Sequence, residues 1–62
     1  MKVRDVIKLL KEDGWLQISQ KGSHRQFRHL VKKGKVTVPG KLADDLQISM
    51  LKSIFKQAGI DR

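Results

Sequence analysis

Trp15-Leu16-Gln17-Ile18-Ser19-Gln20-Lys21-Gly22-Ser23-His24-Arg25-Gln26-Phe27-Arg28-His29 reads as two strands joined by a tight turn. From Trp15 to Gln20 apolar and polar residues alternate, with Leu16 and Ile18 on one side and Gln17 and Ser19 on the other, the period of a half-buried strand. Lys21-Gly22-Ser23 is the turn, because glycine takes the positive φ of tight hairpins at no steric cost. The second strand begins at His24. Its period of two sends Phe27 to one face and His24, Gln26 and Arg28 to the other, and strict alternation puts Arg25 and His29 on the Phe27 side.

The flanking residues complete this hairpin. On the N-terminal side Val3, Val6, Ile7 and Leu10 fall at i, i+3, i+4 and i+7, the stripe of a helix with one buried face, and Leu9 sits at its margin. Gly14 can take the positive φ that ends this helix at about Asp13. On the C-terminal side Lys32-Lys33-Gly34 makes a second turn and Lys35-Val36-Thr37-Val38 a third strand with both valines inward. Pro39-Gly40 closes the meander, since proline cannot donate to a ladder. Residues 40–48 form a loop with Asp44 and Asp45. Ser49 is the expected N-cap of a second helix, whose stripe is Leu51, Ile54, Phe55 and Ala58 and whose stop is Gly59.

The expected fold is therefore α+β, in the order α-β-β-β-α, one domain over residues 1–62. Two amphipathic helices cover one face of a three-stranded antiparallel sheet and leave the other wet. Leu16, Ile18, Phe27, Val36 and Val38 would face the helices. Gln17, Ser19, Lys21, His24, Gln26, Arg28, Lys35 and Thr37 would face solvent. Trp15 is expected at the junction of the first helix and first strand, so Trp15, Phe27 and Phe55 all belong to the core. No ladder of exposed rings remains for stacking single-stranded bases, and nucleic-acid readout would go through charge and shape.

Charge narrows the partner class. The chain carries a formal +8. Between Gly14 and Ala43 there is no Asp or Glu, while Lys21, Arg25, Arg28, Lys32, Lys33, Lys35 and Lys41 all fall there. A one-signed field of this kind concentrates polyanions and is the usual footprint of nucleic-acid binding; an acidic protein or anionic membrane would be attracted as well. With no Cys there is no disulfide and no thiolate chemistry, which fits a reducing, cytoplasmic setting. No apolar run is long enough to span a membrane.

On that basic face the residue types favour some chemistries over others. His24 and His29 are five apart in a strand, point to opposite faces and have no nearby carboxylate, so a metal centre is not expected. Ser23 lacks an orienting acid for nucleophilic catalysis. RNA cleavage asks for less, because the substrate brings its own 2′-OH. The protein need supply only a general base and cations for the phosphate. His24 with Lys21, Arg25 and Arg28 fits that list, since histidine titrates near neutrality and surrounding cations favour its neutral form. It fits equally a histidine that only donates to a phosphate or closes the turn. His29 reads as structural, or as an auxiliary acid.

The ordered set Asp13-Gly14-Trp15, Lys21-Gly22-Ser23-His24, Phe27-Arg28-His29, Val36-Thr37-Val38-Pro39 and Leu51-Lys52-Ser53-Ile54-Phe55-Lys56-Gln57-Ala58-Gly59 resembles the HicA toxin family over essentially the whole chain. The resemblance implies a double-stranded-RNA-binding-domain-like fold and a toxin of a type II toxin–antitoxin system. It implies an mRNA interferase, an endoribonuclease that needs no metal or other cofactor, whose catalytic residue is the histidine of Gly-Ser-His, here His24. Substrate contacts would come from Lys21, Gly22, Ser23, Arg25, Gln26, Arg28 and Lys35. It further implies a HicB antitoxin that covers the histidine in a hetero-oligomeric complex. Two rival classes are a non-catalytic double-stranded RNA-binding module and a pure interaction protein with an acidic partner.

Overall fold

A computed structural model of the chain describes residues 1–61. The elements run α1 (Val3–Glu12), β1 (Trp15–Lys21), β2 (His24–His29), β3 (Lys35–Val38) and α2 (Ile48–Ala58). The sheet is antiparallel with β2 in the middle and β1 and β3 as its two edges, giving the expected α-β-β-β-α arrangement.

The helical stripes are buried as their spacing dictates. Val3, Val6, Ile7 and Leu10 of α1 join Ile54, Phe55 and Ala58 of α2 in one cluster with Trp15, Phe27, Val36 and Val38 of the sheet. Leu9 and Leu51 pack at its margin. Gly14 ends α1 with φ +101°, and Asp13 N–H bonds back to Leu9 and Leu10 carbonyls at 3.1 Å. At the end of α2, Gly59 takes φ +65° while its N–H reaches Lys56 C=O and Ile60 N–H reaches Phe55 C=O. That is a Schellman closure, which satisfies two carbonyls the helix cannot pair internally.

The loop before α2 caps α1. A helix leaves its first N–H groups without intrahelical partners. Here Val3 N–H donates to Asp44 C=O at 2.9 Å and Arg4 N–H to Leu42 C=O at 3.1 Å, while Asp5 Oδ2 accepts from Lys2 N–H at 3.3 Å.

Two expectations need correction. Ser49 is not the N-cap of α2: Gln47 is, and Leu51 N–H to Gln47 C=O at 3.0 Å begins the helical ladder two residues earlier than the serine signal suggests. The phase of β1 is also different. Trp15 is fully buried, whereas Leu16 and Ile18 are 55% and 52% exposed. The ladder pairs Trp15 with His29, Leu16 with Arg28 and Gln17 with Phe27, then skips Ile18 and resumes with Ser19 opposite Gln26. Residues paired across an antiparallel ladder share a face. Burying the indole therefore turns Leu16 outward and brings Gln17 to the core side, and the bulge at Ile18 resets the alternation so that Ser19 and Lys21 face out again.

Candidate nucleic-acid interface

The ladder sets the open face as three rows. Lys21 lies beside His24; Ser19, Gln26 and Thr37 form the middle row; Leu16, Arg28 and Lys35 form the third. Neighbours within a row stand about 5 Å apart at Cβ, and about 14 Å of strand separates His24 from Arg28. Lys21, His24, Arg28 and Lys35 are exposed, and Gln26 and Thr37 half-buried. All six Asp and Glu side chains belong to α1 and its cap, the 44–45 loop or Asp61, so none lies in these rows. Leu16 is the member that sequence alternation did not place here.

The turn that leads into His24 is held from both sides. Its two residues are Gly22, at φ +61°, and Ser23, with Lys21 and His24 the closing pair of the ladder. Only the first carries positive φ, which is the glycine position of a type II′ hairpin. Gln20 Nε2 donates to Gly22 C=O at 3.0 Å. From the other strand Arg25 Nη1 donates to Ser23 C=O at 3.3 Å and to Gly40 C=O at 2.7 Å.

Arg25 thus departs from its expected place as a phosphate ligand. It is 8% exposed and faces the core side between Gln20 and Val38, as strict alternation requires. The bulge that could have freed it lies in β1, not β2.

His29 is equally committed. Its Nε2 lies 2.8 Å from Asp13 C=O, and its Nδ1 accepts from Val31 N–H and Lys32 N–H at 3.0 Å each. Two donors at Nδ1 require the proton on Nε2, which donates to Asp13. The ring edge packs on Trp15, with centroids 5.2 Å apart at 68°. His29 belongs to the far end of β2 from His24, about 17 Å away along the strand. The two histidines do not meet. Among the described residues no three metal-binding side chains are grouped.

Lys32 leaves the basic field for the same structural corner. Its ammonium donates to Asp13 Oδ2 at 2.5 Å, Ala58 C=O at 3.0 Å and Gly59 C=O at 3.2 Å. This hydrogen bond, with the charge of Lys32, holds the Asp13 carboxyl below its usual range against the opposing effect of burial. The Trp15 indole Nε1 nearby is buried and makes no hydrogen bond. Of the seven central cations, Lys21, Arg28, Lys33, Lys35 and Lys41 are exposed.

Among the described residues the arrangement offers one accessible imidazole and a run of cations on a sheet face without carboxylates. Trp15, Phe27 and Phe55 are all buried, so a polyanion would be met by charge and hydrogen bonds and not by stacking. Among the described residues no helix is long and apolar enough to cross a membrane. Comparison with the curated proteins gave no match. A family model described as HicA toxin of bacterial toxin–antitoxin systems matches residues 3–60, which takes in every element from α1 to α2. A toxin–antitoxin system pairs its toxin with an antitoxin, and this chain, matched from the first turn of α1 to past the last of α2, belongs to the HicA toxin family.

Proposed function

We propose that the chain is an mRNA endoribonuclease that uses His24 as general base and needs no metal. The observation that carries this reading is the exposed His24 on the same face as Lys21 and Arg28, a face free of carboxylates among the described residues. His24 takes the proton of the 2′-OH beside the scissile phosphate. The 2′-oxygen bonds to phosphorus, the 5′-oxygen leaves and is protonated from water, and a 2′,3′-cyclic phosphate results. Lys21, the cross-strand neighbour of His24, offsets the charge that builds on the phosphate oxygens, and Arg28, about 14 Å along the strand, meets the flanking chain. Lys35 and Gln26 hold the flanking chain, and Gly22-Ser23 shape the turn.

The antitoxin in this reading is HicB-like and silences the toxin by covering the His24 face, in the cytoplasm. The test is cleavage of RNA by purified wild type and His24→Ala protein with chelator present. Loss of about 10²–10⁴-fold in the variant is expected from removal of a general base. Full activity in His24→Ala, or products carrying only 5′-phosphate, would refute the mechanism. A non-catalytic double-stranded RNA-binding module is the second reading, favoured by the absence of exposed aromatics on the face. It requires wild type to bind RNA with no turnover.

A further inference from the structure

We propose that Arg25 is a positioning residue for His24, fixing the hairpin turn to the β3 corner so that the imidazole is presented in one geometry. This rests on the reading of His24 as the general base. Both carbonyls of the turn are anchored by side chains from the flanking strands, Gly22 by Gln20 at 3.0 Å and Ser23 by Arg25 at 3.3 Å. The Gln20 brace is exposed and spans only two residues. Arg25 alone carries the turn to a distant point of the chain, Gly40, at 2.7 Å across fifteen residues.

That distant point is itself fixed. Gly40 has φ +91°, and a Cβ there would stand 3.3 Å from the Val3 side chain at the start of α1. The two N–H groups at the start of α1 are in turn held by the loop just beyond Gly40. Packing and hydrogen bonds thus link the first turn of α1, through the segment that begins at Gly40 and through Arg25, to the peptide that precedes His24.

The chemistry of position 25 also calls for explanation. A buried arginine is costly to desolvate, and the hydrogen-bond partners of its guanidinium here are carbonyls. An apolar side chain beside Val38 would bury at lower cost but would leave two backbone carbonyls without these donors. Position 25 adjoins His24 in β2, so a slack turn moves the imidazole directly. A misplacement of about 1 Å is enough to reduce a catalytic step by about 100-fold.

Both bonds come from the single nitrogen Nη1. One ammonium can therefore replace them, which makes lysine an informative variant even though it cannot reproduce a two-nitrogen fork. The experiment compares wild type, Arg25→Met, Arg25→Lys and His24→Ala by single-substrate RNA cleavage, with kcat and KM separated and folding checked by circular dichroism.

Arg25→Met is expected to lower kcat by about 10- to 100-fold with KM within about twofold of wild type. Arg25→Lys is expected to recover most of kcat with KM unchanged. A raised KM with kcat preserved, in either variant, would overturn the inference and return Arg25 to direct phosphate binding. Wild-type kcat in Arg25→Met would overturn it as well. If Arg25→Met does not fold, the Arg25→Lys protein decides through KM, because loss of a guanidinium–phosphate contact would raise it. Cleavage that survives in His24→Ala removes the underlying reading, whereas cleavage lost there but indifferent to Arg25 removes only this inference.

Discussion

The Lys32 ammonium stands 2.5 Å from the Asp13 carboxylate at the point where the last turns of α1 and α2 converge. One side chain from the β2–β3 loop thereby reaches the C-terminal ends of both helices, where a cation is favoured by the unpaired carbonyls.

Lys32→Met is expected to destabilise the fold by about 1 kcal/mol, discounted for a site about a third exposed. For a chain of this size that is a fall in Tm of about 4–8 °C, measurable by thermal unfolding. RNA affinity should keep its salt dependence in this variant, because the ammonium is already neutralised by Asp13.

Acid should weaken the same corner. The Asp13 carboxyl titrates below its usual range in the folded protein, so its contribution is fully present above the unfolded value near 3.9 and disappears as pH falls through the lowered folded value. Asp13→Asn is expected to be less stable than wild type at neutral pH and to converge with it as pH falls through the lowered folded value. Denaturant titrations across that range would show a constant difference if Asp13 carried no such role.

Gly14→Ala is expected to cost about 2 kcal/mol or more. The position has φ +101°, and an added Cβ would sit 2.7 Å from His29 Nε2, the atom that bonds Asp13. Gly34 has φ +86° but open space around it, so Gly34→Ala should show only the backbone cost of about 1 kcal/mol. Equal losses in the two variants by chemical denaturation would mean that the His29 contact carries nothing.

His29→Ala is expected to lose about 1–3 kcal/mol of stability while retaining wild-type kcat per folded molecule. A fall in kcat comparable to that of His24→Ala, with the fold intact by circular dichroism, would make His29 a second acid–base group.

Lys35→Ala and Arg28→Ala should each reduce the slope of log affinity against log salt for single-stranded RNA by about 0.7. Affinity measured by fluorescence anisotropy in a salt series checks this. An unchanged slope would move the polyanion off the open sheet face.

The element order, both helical stripes and the span of β3 were legible because side-chain periodicity follows directly from backbone geometry. The phase of β1 was not: two apolar residues, Leu16 and Ile18, outvoted a single indole in the pattern, and a bulge has no signature in periodicity. His24 could be placed on the open face because it adjoins a glycine turn in a regular strand. Arg25 and Lys32 read as available cations because charge is visible in a sequence, while Gly40 and Ala58, whose carbonyls help to occupy them, lie fifteen and more positions away.

The skipped residue at Ile18 has a bearing on how the protein behaves when concentrated. β1 is the longer edge of the sheet and carries Leu16 and Ile18 in the open, a combination that invites strand-to-strand stacking between molecules. A regular edge would offer an unbroken row of backbone donors and acceptors to a neighbour. The bulge breaks that row midway and adds twist, and the opposite edge, β3, is only four residues long. Both borders of the sheet are thus poor templates for fibre growth.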